Sequence, residues 1–278
     1  MTRTLALCAD DYGQNAAISA GILRLARAGR LNAISCLVNG SSWKSDAPAL
    51  QSLPPTVQIG LHFNLTEGRP LSTRLAQRWP SLPQHAQLLL RSQFGLLPRG
   101  LLRGEFHAQL RAFLDATGHS PSYLDGHQHV HALPLIRGLV LDAAEHMRPV
   151  PAVRNTGRVL GPGFAFKRRV IEFCGGRDLT RELVQRELAH NAVLLGVYDF
   201  SDTDYRALMQ AWLTQVPAEG ALLFCHPGDA QNGGPPDAIA AARVRELAYL
   251  ESPAFMQDLA QAGVVLGPVW RAPGGARR

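Results

Sequence analysis

Two carboxylates stand side by side near the start of this chain, in Ala9-Asp10-Asp11-Tyr12-Gly13, at the end of the apolar run 5–9. An apolar run of this kind reads as a buried strand of a parallel sheet. Side chains alternate along a strand, so neighbouring acids point in different directions. One can bind a cation while the other stays free to take up a proton. The same residue types also suit a turn that enters a helix, so the pair needs partners before it implies chemistry. Histidines supply them: His62 near the end of the apolar run 57–65, His127 after the run 122–125, and His226 directly after 221–225. One such histidine is an ordinary structural residue; several aimed into one space are not. His127, His129 and His131 would share one face of an extended backbone, which is costly to bury without a metal, a proton path or a polar ligand. One carboxylate and two neutral imidazoles make a ligand set with open positions, suited to zinc and less well to magnesium or manganese. An open position admits a water and a carbonyl oxygen, a free aspartate can take the water's proton, and a histidine can protonate a leaving group. Such a set hydrolyses amides or esters without a covalent intermediate. His85, His107, His119, His146 and His190 fall in helix-like or loop contexts and are expected at the surface.

The elements that must position these groups alternate in type. Strand-like runs at 5–9, 31–38, 57–65, 122–125, 149–154, 194–198, 221–225 and 263–269 are separated by helical patterns at about 15–28, 43–53, 105–117, 134–146, 166–173, 179–191, 202–216 and up to 250. Seven or eight repeats without a Ser-, Gly- or charge-rich linker predict one α/β domain over 1–278, of (β/α)-barrel type. A Rossmann sheet competes but lacks a GxGxxG after the first strand. In a barrel the carboxyl ends of all strands converge on one face, which is where Asp10, Asp11, His62, His127 and His226 fall. Residues 68–100, with Pro70, Pro80, Pro83 and Pro98, lack a clear period and are expected as a loop-rich insertion over one end of the fold, able to shape a substrate site.

Bulk properties narrow the class. The 278 residues are 46% hydrophobic and 18% charged, which fits a folded globule rather than a disordered chain. No apolar run reaches membrane-spanning length and no secretory signal precedes the first strand, so the cytoplasm is the expected location. Cys8, Cys36, Cys174 and Cys225 are scattered, against a disulfide framework. The net charge of +6 invites a nucleic-acid partner, but the basic residues are dispersed. The densest groups, Lys167-Arg168-Arg169 and Arg277-Arg278, lack interleaved aromatics, so none is expected. Oligomeric state stays open, a homodimer included.

Five ordered segments resemble the YdjC-like family of carbohydrate deacetylases, also called the chitooligosaccharide and hopanoid-biosynthesis-associated deacetylase family. They are Ala9-Asp10-Asp11-Tyr12-Gly13, Leu37-Val38-Asn39-Gly40, Gly60-Leu61-His62-Phe63-Asn64-Leu65-Thr66, Asp125-Gly126-His127-Gln128-His129-Val130-His131 and Cys225-His226-Pro227. The resemblance implies an irregular (β/α) barrel related to those of polysaccharide deacetylases, and one divalent metal ion, zinc or magnesium. It makes Asp11, His62 and His127 the metal ligands, Asp10 the general base and His226 the acid. Arg154, after the fifth strand, is a candidate to orient a carboxylate, with a plain surface arginine as the alternative, and His129, His131 and Arg154 are candidate substrate contacts. The activity expected is removal of acetyl from an N-acetylated sugar or oligosaccharide. The alternatives are the same hydrolysis on another amide or ester, such as a lipid-linked amino sugar, and a non-catalytic metal- or carbohydrate-binding protein.

Overall fold

The computed structural model describes residues 2–231 and 236–272. The Gly- and Pro-rich loop expected at 231–236 and the terminal arginine pair fall largely or wholly outside them. Among the described residues, eight strands form one parallel sheet: β1 (Arg3–Tyr12), β2 (Ala33–Cys36), β3 (Gln58–Phe63), β4 (Tyr123–Gly126), β5 (Ala152–Val153), β6 (Leu194–Leu195), β7 (Ala221–Cys225) and β8 (Val264–Leu266). Their order is β5-β4-β3-β2-β1-β7-β6, with β8 added beside the start of β1. The sheet curls, and single pairings Val153–His190 and Val159–Leu194 extend it beyond its two edge strands. The fold is thus an irregular α/β barrel of parallel strands.

β1 is the hub, because it pairs with β2, β7 and β8. Its alternation sorts the core. Leu5, Leu7 and Ala9 pack in the larger cluster beneath the helices, while Ala6 and Cys8 face a smaller cluster inside the barrel with Tyr123, Leu222 and Phe224. That parity carries Asp10 inward after Ala6 and Cys8. It would send Asp11 outward, but the register with β2 shifts between Ala9 and Tyr12, and Asp11 adopts φ 71°. A bulge with a left-handed residue therefore turns the second acid toward the same space as the first.

The helices follow the apolar periodicity. Ala16–Arg27 is capped by Asn15, whose side chain accepts from the Ile18 N–H, a contact worth about 1 kcal/mol. The expected helix at 43–53 is one α-helical turn, Trp43–Asp46, continued by the 3₁₀ turn Ala47–Ser52, where Pro48 interrupts regular helix. The stretch 68–100, expected as loop, holds the helices Thr73–Arg78 and His85–Gln93 and opens a third, Arg99–Thr117. The two short helices bury only Leu75, Leu88 and Ser92, too few positions to print a period. A further helix, Pro253–Gln261, was not expected; Ser252 and Pro253 start it directly after Ala240–Glu251.

Candidate active site

Asp11, His62 and His127 meet at the carboxyl ends of β1, β3 and β4, all buried, with one ligand atom of each within 4.8 Å of the others. His62 follows the inward parity of β3, since Leu61 and Phe63 pack in the outer cluster. Its Nδ1 lies 2.7 Å from Asp125 Oδ1, which leaves Nε2 facing Asp11 Oδ1 at 3.5 Å and Asp10 Oδ2 at 4.0 Å. A carboxylate on one ring nitrogen and an acidic cluster on the other is the usual arrangement of a metal-binding imidazole. His127 Nδ1 lies 2.9 Å from Asp11 Oδ1, and its Nε2 lies 3.1 Å from Glu67 Oε2. Arg243 takes the second oxygen of Asp11, Nη2 to Oδ2 at 2.8 Å.

These contacts set the charges. Burial opposes ionisation of Asp11, but His127 and Arg243 outweigh it and hold the carboxyl well below the usual range. Burial likewise disfavours a charged His127, yet Asp11 and Glu67 raise its pKa to about 10. Without a cation, the His127 proton thus fills the place where charge is needed. The donor set fits a divalent ion: one carboxylate oxygen, two imidazole nitrogens, and a ring orientation at His62 fixed by Asp125.

Asp10 is not the free acid the sequence suggested. Arg154 grips both its oxygens, Nη1 to Oδ2 at 2.7 Å and Nη2 to Oδ1 at 2.6 Å. The same guanidinium reaches Asp125 Oδ2 at 2.6 Å, where Ser35 also donates at 2.6 Å. Burial opposes ionisation of Asp10, but Arg154 and then His62 hold it far below the ordinary carboxylate range. The oxygens of Asp10 and Asp125 with Cys8 Sγ form a second compact group, already occupied by the arginine's charge.

His226 leaves β7 on the inward parity of Phe224. Its ring stands edge-on to Phe200 (5.2 Å between centroids) and Phe224 (5.6 Å). Its backbone N–H donates to Glu246 Oε2 at 2.5 Å. Burial pushes its imidazole down to about 4, while Asp11 and Asp10 pull the other way.

Of the three candidate substrate contacts, two are closed off from solvent. Arg154 is fully buried and paired with Asp10 and Asp125, in the carboxylate-orienting place rather than an exposed one. His131 is also fully buried, with Nε2 2.8 Å from the Arg154 carbonyl. His129 is partly exposed and packs edge-on to Phe224 at 5.3 Å, so it alone of the three can reach a ligand. The expected shared face fails because Gln128 (φ 52°) and His129 (φ 61°) are left-handed, so the segment coils and the three rings meet different partners. His85, expected at the surface, instead lies half-buried beside His127 and the Gln128 backbone, where burial lowers its pKa. Asp125, Glu67, Arg243 and Glu246 were not singled out from sequence. Asp125 had a signal, since it shares the parity of inward Tyr123; the other three had none.

A parallel barrel that gathers a buried Asp–His–His cluster and an arginine-held second aspartate at its strand ends defines the class: an α/β-barrel protein with a candidate divalent-metal centre. The sequence profile of the YdjC-like protein family matches residues 4–261, and the chain belongs to that family. It is 27% identical to a chitooligosaccharide deacetylase of Enterobacter sp. (strain 638), over 96% of this chain and 98% of that one. It is 29% identical to a carbohydrate deacetylase of Mus musculus, over 94% and 92%. The fold matches a crystal structure from Enterococcus faecalis, of a protein with a proposed role in cellobiose-phosphate cleavage, at a TM-score of 0.71 and 21% identity, covering 97% and 98% of the two chains.

Proposed function

We propose that this protein is a metal-dependent hydrolase that removes the acetyl group from an N-acetylated sugar or oligosaccharide. The observation that carries the reading is the pair of neighbouring aspartates with opposite commitments. Asp11 faces two imidazoles, and Asp10 is kept ionised beside them by a buried arginine. The family membership and the names of the full-length relatives support the substrate class.

Asp11, His62 and His127 would hold the ion. When bound, a divalent ion there supplies a Lewis acid for the acetamide carbonyl and lowers the pKa of a water. Asp10 accepts the attacking water's proton, and Arg154 fixes its orientation in the ionised form. Asp125 fixes the ring of His62. His226 is placed to protonate the departing amine; burial lowers its imidazole to about 4, so the resting ring is neutral and must take up a proton before it can donate one. A buried ion pair at Asp10 is an expensive feature for a protein that only binds a ligand, which favours catalysis over the binding reading.

The test is acetate release from a panel of N-acetylglucosamine oligosaccharides by zinc- and magnesium-loaded protein. Asp10→Asn should lower turnover by about 10²- to 10⁴-fold while leaving the metal content intact. Undiminished turnover in that variant would end the assignment.

A further inference from the structure

The helix Ala240–Glu251 sends two charged side chains into the site from one face, Arg243 and, one turn on, Glu246. Both are buried, Arg243 at 3% exposure and Glu246 at 0%, and neither belongs to a motif by which the family is recognised above. Residues three apart on a helix share a face, so one turn of this helix addresses two strand ends. Arg243 Nη2 donates to Asp11 Oδ2 (2.8 Å) and to Gln14 Oε1 (3.0 Å), and its Nε donates to Asp237 Oδ2 at 2.6 Å. Its carbonyl accepts from the Gly228 N–H at 3.2 Å. Glu246 accepts from the His226 N–H at 2.5 Å through Oε2 and from the Tyr198 hydroxyl through Oε1. The segment 226–228 is thus tied to this single turn at both ends, and β1 is tied to it through Asp11.

We propose that Arg243 and Glu246 are positioning residues that work as a two-jawed clamp. Arg243 reserves one oxygen of Asp11, so that only Oδ1 faces His62 and His127. Glu246 sets the backbone position of His226 and therefore where its ring stands between Phe200 and Phe224. The clamp fixes the separation between the cation's ligands and the proton donor, and it rests on the reading of Asp11 and His226 given under Proposed function.

The two jaws predict different losses. Arg243→Met frees Asp11 to rotate, and its zinc affinity, measured by calorimetric titration of the protein, should fall by about 10- to 100-fold, the usual cost of removing a group that orients a metal ligand. Arg243→Lys keeps the charge but not the planar fork, so it should lie between wild type and Arg243→Met; it carries the test if the methionine variant fails to fold. Glu246→Ala should keep zinc affinity within about threefold while lowering turnover by about tenfold or more at unchanged KM. It should also move the His226 ring resonance in NMR spectra, and Glu246→Gln, which still accepts from the His226 N–H, should restore both. Wild-type zinc affinity in both Arg243 variants overturns the first jaw. A Glu246→Ala variant that loses zinc as Arg243→Met does, or leaves the His226 resonance unmoved, overturns the second. If wild type releases acetate from no sugar in the panel, the deacetylase reading fails, and the zinc and NMR measurements still decide the clamp.

Discussion

At the scale of single residues, the most consequential side chain outside the proposed metal ligands is Arg154. It is fully buried and its two terminal nitrogens are shared between Asp10 and Asp125. Two carboxylates so close would not both ionise without it, because like charges in a dry site drive one proton back on. Removing one partner of a buried ion pair costs about 3–5 kcal/mol, since the remaining charge has no compensation. Arg154→Met should therefore lower stability by roughly that amount in urea titration at neutral pH. The penalty should shrink in acid. Asp10 and Asp125 have folded pKa values below their ordinary ones, so the stability they contribute is present above about pH 4 and is lost as pH falls further. A variant whose stability deficit stays constant from neutral pH into that acid range would show that the arginine does not act through these carboxylates.

At the scale of elements, much was legible because a strand's period of two is rigid. The runs around Leu5 and Phe224 are apolar on both faces, as a sheet covered inside and out requires, and the same parity aims Asp10, His62, Asp125 and His226 inward. What escaped detection were departures from that period. Asp11 reaches the site only through a bulge at φ 71°, and the 127–131 segment coils through two left-handed residues. Neither carries a glycine at the strained position to announce it. Contacts between distant elements were equally hidden: nothing local to Arg243 or Glu67 tells of Asp11 or His127. One element-level feature is marked by glycine, the close approach of the loops after β1 and β2. A Cβ on Gly40 would stand 2.1 Å from the Gly13 carbonyl oxygen, a backbone atom that no side-chain rotation can move. Gly40→Ala should thus force the loops apart and cost about 1–3 kcal/mol or more. Because Asp11 lies at the end of β1, two residues before Gly13, zinc affinity should drop with it. Unaltered stability in chemical denaturation would mean the two loops are free to separate.

At the scale of the whole molecule, the site joins strands that are far apart in sequence, so a cation bound there ties β1, β3 and β4 together. A ligand that binds only the folded chain stabilises it by about 2.7 kcal/mol at a hundredfold excess over its Kd. For a chain of 278 residues that is a rise in Tm of roughly 5 °C. Zinc is the sensible probe, because two of the three donors are imidazoles. The rise should depend on pH, and its sign follows from His127. Without metal its pKa is raised from 6.5 to about 10, with burial opposing and Asp11 and Glu67 prevailing. The stability from that ion pairing is complete below about pH 6.5 and is lost as pH climbs through about 10. Zinc needs the neutral ring and must expel the proton, so it competes less well at low pH. At fixed zinc concentration the gain in Tm should therefore be larger at about pH 8 than at about pH 6, by scanning calorimetry, and absent in Asp11→Ala at both. An equal gain at the two pH values would remove His127 from the ligand set, and the same gain in Asp11→Ala would place the zinc elsewhere in the molecule.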